Sequence, residues 1–421
     1  KIADMALELG KGELLAIQLG RLKDAGGLTP AQVSVGKLNN VREAIAIFGI
    51  ERCFFASNFP VEKVHGRFGG FYAAYDAITA GFSDDERLAL FAGSAFAQSQ
   101  LTVVNFGGAN ANAQKKAYYE PFEKATGAKV VSVEYNGEQA KVKAMVEAKK
   151  VSWDVVELES PDVGRGCDEG LFEKLDYSRI GNKADFAPAA AVTDCGIGIF
   201  VWSTVMAYNG DKLKTAPTSW ADFWDTKKIP GKRGMRKGAR YNLEFALMAD
   251  GVKPADVYKV LATKDGADRA FKKLTELKPN IQWWEAGAQA PQFLVAGDVV
   301  LTTVFNGRID AANREGRNLK IYWPGGIYDL DYWAIPKGTP NKDAAVKFIA
   351  YTMQTANQAA YAQNIAYGPA NTTALAKLDK KVLDDLPTSA SNAKEAIQFG
   401  VSFWADQGEA LEKRFAAWAT Q

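Results

Sequence analysis

Along residues 101–156 the apolar positions alternate between two periods. LTVV at 101–104 is a short, largely β-branched run, and residues 113–126 carry apolar side chains at helical spacing up to a stop at Gly127. Residues 128–133 return to strand character, 138–149 are helical again, and WDVV at 153–156 is a third strand. Strand, helix, strand, helix, strand is the repeating unit of an open parallel sheet. A second α/β stretch begins near Thr204, with a strand over 205–208, helices over 219–224, 242–248 and 267–277, and a strand over 298–304. A strand at 332–335 and helices over 341–362 then read as a return to the first lobe. A domain interrupted by another requires at least two crossings, and two crossings make a hinge. In such lobes ligands sit beyond the carboxyl ends of the strands, which directs attention to loops 105–110, 157–162, 236–241, 305–308 and 328–331.

The first hundred residues follow a different pattern. Ile2, Met5, Leu9, Leu15, Leu19 and Leu22 fall near helical spacing and stop at Gly26-Gly27. A second helix is expected over 30–47, a short strand over 52–57 closed by Asn58-Phe59-Pro60, and a helix near 71–80.

Composition narrows the chemistry. The 421 residues carry 51 basic and 49 acidic side chains, so no excess charge is available to attract a polyanion, and nucleic-acid binding is not expected. No apolar run reaches the roughly 18 residues of a membrane span. The single histidine, His65, rules out a metal centre built on several imidazoles and confines any Ser-His or Cys-His pair to that one residue. Ten Trp, fifteen Tyr and twenty-three Phe point instead to aromatic walls, some of them at Trp283-Trp284 and over 328–333. Of the three cysteines, Cys167 and Cys195 flank one segment; they are either a disulfide or two buried thiols, and Cys53 is left over.

From about residue 101 several blocks occur in a telling order: TGAKV at 126–130, WDVV at 153–156, YNGD at 208–211, TSWADFW at 218–224, Gly297-Asp298, FNG at 305–307, WAIP at 333–336 and IAYGP at 365–369. In order and spacing they resemble the solute-binding components of spermidine/putrescine-type ABC importers. The resemblance implies a type II, two-lobed α/β periplasmic binding fold over 98–421, with lobe 1 at about 98–203 and 329–370, lobe 2 at about 204–328, and C-terminal helices over 371–421. It also implies a monomer that hands a small molecule to a membrane ABC permease, without catalysis, metal or cofactor. The family's first Trp-Thr is Phe106-Gly107 here, its Trp before Asn-Gly is Phe305, a further Trp is Asp329, and its Asp is kept as Asp331. Its two amine-binding acids fall on Gly238 and Tyr241.

The site expected from these loops and this resemblance comprises Asn105, Phe106, Gly107, Glu157, Glu159, Ser160, Trp202, Arg240, Tyr241, Phe305, Asn306, Asp329, Asp331 and Tyr367. Glu157, Glu159, Asp329 and Asp331 put four carboxylates into it. An ammonium between carboxylates and aromatic faces gains charge-assisted hydrogen bonds and about 0.5–2 kcal/mol per cation–π contact. A cationic, polyamine-like amine is therefore the first expectation. The alternative is that these acids pair with Arg236, Arg240 or Arg308 across the cleft and leave room for a zwitterion or an anion, gripped by an arginine such as Arg240.

Residues 1–47, through KIADM at 1–5, QLGRLKD at 18–24 and GKLNNVR at 36–42, resemble a fragment of an acyl-CoA dehydrogenase C-terminal domain without its flavin-contacting or catalytic segments. Residues 48–93, through FGIERC at 48–53, FASNFP at 55–60 and SDDERLALF at 83–91, resemble the end of an amidohydrolase barrel, with Asn58 where many members carry an Asp. Ala95-Phe96-Ala97 resembles a signal-peptidase site, which implies a periplasmic location for residues 98–421; on the residues alone the segment reads equally as the end of a short amphipathic helix. Together these resemblances imply a mainly helical N-terminal extension and a chimeric chain joined from three sources.

Overall fold

A computed structural model describes residues 100–191 and 193–420. The expected N-terminal helices, His65, Cys53 and the cleavage-like site at 95–97 lie outside the described residues. Residues Gln98–Gln421 form a unit of their own, a two-lobed α/β structure.

In the first lobe the strands are β1 (Gln100–Asn105), β2 (Lys129–Glu134) and β3 (Val155–Glu159). Between them run α1 (Gly108–Gln114), a π-helical stretch (Lys115–Tyr119), α2 (Glu120–Thr126) and α3 (Gln139–Glu147), and α4 (Ser160–Asp168) follows β3. β1 pairs in parallel with both β2 and β3, and Leu101, Val103 and Val104 bury its apolar run completely. The helix begins five residues before the expected 113, although its sequence, GANANAQ, is a poor helix former. It is held by tertiary bonds: Asn110 and Gln114, four apart on one face, reach inward to Glu157.

β4 (Gly196–Asn209) is a fourteen-residue strand buried along nearly its whole length. The second lobe follows with α5 (Trp220–Trp224), β5 (Arg233–Arg236), α6 (Asn242–Ala249), α7 (Val257–Leu261), α8 (Lys264–Leu277), β6 (Ile281–Trp284), α9 (Gln289–Ala296), β7 (Leu301–Phe305) and α10 (Asn306–Arg314). Here β5 pairs in parallel with β6 and β7. β8 (Leu319–Ala334) returns to the first lobe, followed by α11 (Lys342–Thr352), α12 (Thr355–Asn364), β9 (Gly368–Pro369), α13 (Lys380–Asp385), α14 (Ala390–Ala393), β10 (Ile397–Gln398) and α15 (Val401–Ala419).

The strand order is β2-β1-β3-β8-β4-β7-β5-β6. The antiparallel pair β4/β8 therefore belongs to both lobes: β8 joins β3 at one end, and β4 joins β7 at the other. Its register slips between Thr204 and Met206, where β8 passes through Pro324, Gly325 and Gly326. These two long strands are the hinge crossings. The sequence reading saw only 205–208 and 332–335 of them, because the strands run through glycines and polar residues that resemble turns when read alone. α15 forms a third link: it packs on α4 of the first lobe, while Trp404 and Glu412 bond Glu244 and the backbone of Ala239 and Arg240 in the second.

Cys167 and Cys195 form a disulfide across a separation of 28 residues, tying the end of α4 to the entry of β4.

Candidate functional site

Four of the five loops singled out from sequence follow strand ends of the two lobes: β1, β3, β5 and β7 all terminate at the cleft. The fifth, 328–331, is no loop. It lies inside the hinge strand β8, so Asp329 and Asp331 reach the cleft region from a crossing strand. Glu157 and Glu159 likewise lie within β3 and project from the same face of it.

A small, partly open cavity lies between the lobes. Its walls are aromatic: Phe106, Phe200, Trp202, Phe305 and Tyr367, with Asn110, Asn136, Glu159, Arg236, Glu285, Gly287, Arg308 and Asp331 supplying polarity. Phe200 stacks on Tyr367 at 4.9 Å, and Trp202 meets Phe305 edge-on at 4.9 Å. Arg236 lies over the Phe305 ring, its guanidinium carbon 5.6 Å from the centroid.

The lobes are closed on each other by arginines from the second lobe. Arg308 donates from Nη1 to the Gly107 carbonyl (2.8 Å) and from Nη2 to the Phe106 carbonyl (3.0 Å). The chain takes up a positive φ of 61° at Gly107 to present that carbonyl, and a side chain there would collide with Glu134. Glu159 accepts from Arg236 at 2.7 Å and from Arg240 at 3.1 Å, and Arg240 also holds Asp162 at 3.0 Å. Burial opposes the charge on both arginines, but Glu159 beside Arg236, and Asp162 and Glu159 beside Arg240, outweigh it and raise their pKa values.

The remaining acids lie deeper. Glu157 is fully buried and accepts from Asn110 Nδ2 (2.8 and 3.0 Å) and Gln114 Nε2 (2.7 Å). Asp331 accepts from Trp202 Nε1 at 2.7 Å. Burial, then the neighbouring Glu157, push the Asp331 carboxyl well above its ordinary range; Glu157 is also raised, by burial. Asp329 accepts from Ser160 Oγ at 2.6 Å and from the Leu330 amide, and burial pushes it up to about 8.

Of the fourteen residues expected at the site, Phe106, Glu159, Trp202, Phe305, Asp331 and Tyr367 line the cavity. The other eight stand behind or beside it, each for a local reason. Asn105 turns inward to Tyr119 and Ser132 and accepts from the Gly107 amide. Gly107 contributes its carbonyl to the Arg308 clamp. Glu157 is sealed by amides, and Ser160 and Asp329 satisfy each other. Arg240 faces a second, hinge-side cavity with Asp162, Arg165 and Glu412, Tyr241 packs behind Trp202 at 5.8 Å, and Asn306 bridges the Ser203 amide and the Ala366 carbonyl.

The sequence reading left Asn110, Asn136, Phe200, Arg236, Glu285, Gly287 and Arg308 out of the expected site. Phe200 was accessible through alternation, two residues before Trp202 on the same face of a strand. Glu285 and Gly287 follow β6, a strand that the aromatic pair Trp283-Trp284 disguised as loop. Arg308 was named only as a partner for acids, yet among the described residues it forms no ion pair, and its buried Nε has no hydrogen-bond partner.

Comparison with known proteins places this geometry. Residues 117–394 match the family model described as bacterial extracellular solute-binding protein. The chain is 58% identical over 332 residues to the gamma-aminobutyric acid-binding protein of Pseudomonas aeruginosa, covering 79% of this chain and 94% of that protein. It is 27% identical over 277 residues to the spermidine/putrescine-binding periplasmic protein of Escherichia coli, covering 63% and 77% respectively. The solved structure of a GABA receptor is 37% identical and superposes with a TM-score of 0.68 over 76% of this chain and 98% of its own. The comparisons lend no support to the dehydrogenase-like and amidohydrolase-like resemblances of residues 1–97, or to a chimeric chain. The two-lobed fold, the hinge pair and the closed aromatic cleft are those of a non-enzymatic binding component of an ABC transporter, and this chain belongs to the bacterial extracellular solute-binding proteins.

Proposed function

We propose that residues 98–421 capture a small zwitterionic ω-amino acid of the γ-aminobutyric acid kind in the interlobe cavity and deliver it to a membrane permease from the periplasm. The observation that carries this reading is Arg308. It is 4% exposed, lines the cavity, and has carbonyl partners but no carboxylate among the described residues. A buried guanidinium without a counter-ion is costly, and a ligand carboxylate beside it in the cavity supplies one. The ligand's ammonium then faces Asp331 and the rings of Trp202 and Phe305, with its methylenes against Phe200 and Tyr367.

The cationic-amine expectation gives way to the zwitterion for a physical reason. Glu159 is neutralised by Arg236 and Arg240, while Asp329 and Glu157 are turned away from the cavity. A diamine would then place one of its two charges beside Arg308. The binding-protein names of the two relatives, for γ-aminobutyric acid at 58% identity and for polyamines at 27%, point the same way.

A thermal-shift and calorimetric panel of γ-aminobutyrate, 5-aminovalerate, butyrate and putrescine tests this. The ω-amino acids are expected to stabilise the protein by RT ln(1 + [L]/Kd), about 2.7 kcal/mol at a hundredfold excess over Kd. Arg308→Gln is expected to weaken them at least a hundredfold. Stabilisation by putrescine with none by γ-aminobutyrate would overturn the proposal.

A further inference from the structure

Two buried carboxyl groups, Glu157 and Asp331, are diagonal neighbours on one face of the β3/β8 pair. Glu157 and Glu159 project from one face of β3, and the antiparallel register sets Asp331 of β8 opposite Glu159. Glu159 is drawn off to Arg236 and Arg240, which leaves the Asp331 carboxyl within hydrogen-bond reach of Glu157. Two unprotonated carboxylates at that separation repel strongly away from water, and one proton between them removes the repulsion and completes a hydrogen bond. The surroundings decide which side keeps the charge. Glu157 receives N–H bonds from Asn110 and Gln114, whose own acceptors are satisfied by Tyr361 and Tyr119 hydroxyls, whereas Asp331 receives one, from Trp202. The carboxylate is therefore stabilised at Glu157, and the protonated group is Asp331, the member that lines the ligand cavity.

We propose that Glu157 and Asp331 share one proton in the closed cleft, and that a ligand ammonium settling on Asp331 expels this proton to solvent, so that solute capture is proton-releasing. The balance is one zwitterion bound and one proton lost: the ammonium replaces the proton's charge beside the pair, the ligand carboxylate adds one negative charge beside Arg308, and the cavity's total falls by one. The other groups around the pair do not supply the exchange. Arg308 of α10 is held by two backbone carbonyls. Tyr135, Tyr361 and Tyr367 are phenols raised by burial and remain neutral. Glu159 is tied to its two arginines, and Asp329, two residues along β8, is bonded to Ser160. Glu157 thus acts as a positioning residue that sets the protonation of Asp331 without touching the ligand.

The inference rests on the zwitterion reading only for its choice of ligand, γ-aminobutyrate, whose own groups do not titrate near neutrality. Calorimetric titrations at pH 7 in phosphate, HEPES and Tris give the number of protons exchanged from the dependence of observed heat on buffer ionisation heat. About one proton released per ligand is expected for the unmodified protein, with affinity rising roughly tenfold per pH unit while the pair holds its proton. Glu157→Gln is expected to release close to none while still binding. Binding with no proton release in the unmodified protein would overturn the proposal. Difference infrared spectra of the ligand-free proteins supply a readout independent of any ligand: a protonated-carboxyl carbonyl component at pH 7 that is missing from Asp331→Asn, over and above the contributions of Asp329 and Glu244, is expected. Its presence together with failure to bind γ-aminobutyrate would sink the ligand reading and uphold the shared proton; its absence would sink the shared proton.

Discussion

Asp162→Asn separates the closing of the lobes from contact with the ligand. Asp162 lies on α4 of the first lobe, outside the ligand cavity, and binds Arg240 of the second lobe through Nη1 at 3.0 Å and Nη2 at 3.2 Å. The side chains are 8% and 18% exposed, so the pair sits between two regimes. Truncating one member of a fully buried pair costs about 3–5 kcal/mol, whereas exposed pairs contribute about 0–1 kcal/mol. Arg240 retains Glu159 at 3.1 Å, and an asparagine keeps one acceptor. A loss of roughly 1.5–2 kcal/mol follows, equivalent to about 10–30-fold in Kd. Asp162 also holds Arg165 of its own helix at 3.0 Å, a share common to the open and closed forms; the share of the bond that crosses between lobes falls on the closed, liganded form and shows mainly as faster dissociation. The assay is stopped-flow dissociation together with calorimetry, with small-angle scattering to follow closure and a melting curve of the ligand-free protein as control. An unchanged dissociation rate with a clearly lowered ligand-free melting temperature would refute the reasoning, since the bond would then hold the fold and not the closure.

Two further outcomes are expected. Reducing Cys167–Cys195, or replacing both cysteines by serine, frees a 28-residue span and is expected to cost about 3–4 kcal/mol by loop entropy, read as a lower urea midpoint. Glu244 of α6 is buried, accepts from Trp404 Nε1 at 2.6 Å and Tyr258 at 3.1 Å, and is pushed up to about 7 by burial. Its native pKa exceeds its unfolded value, so the native state binds the extra proton between about pH 4.5 and pH 7. Stability from this group is full below that window and is lost as pH rises through 7, by up to about 3 kcal/mol. Urea titrations at pH 5 and pH 8 check the slope, which Glu244→Gln is expected to reduce by this group's share, leaving the share of Asp329 and Asp331.

Much of the architecture was legible in local pattern. The alternation of β-branched runs with helical periodicity over 101–156 is fixed by backbone stereochemistry and the need of each element to bury one face, so it survives reading without coordinates. The cleft followed from the strand-end rule applied to β1, β3, β5 and β7. Phe106 and Phe305 were reached through the family resemblance, which carries tryptophans at those positions. The long hinge strands were not recoverable: β4 and β8 are stabilised by partners more than a hundred residues away, and their glycines and polar residues look like turns until those partners are present.

What the sequence determined by itself is therefore the fold class, the two-lobed plan, the aromatic character of the site and the presence of four acids near it. What only the tertiary structure decided is the meaning of those acids. Whether a carboxylate offers its charge to a ligand depends on who stands within about 3–4 Å of it, and distance in space is not written in local sequence. Glu159 meets two arginines, Asp329 meets Ser160, Glu157 meets two amides, and Arg308 bonds two backbone carbonyls and no carboxylate among the described residues. Folding thereby turns a chain that reads as a trap for cations into a cleft with an unsatisfied arginine at one side and a carboxyl facing the ligand at the other.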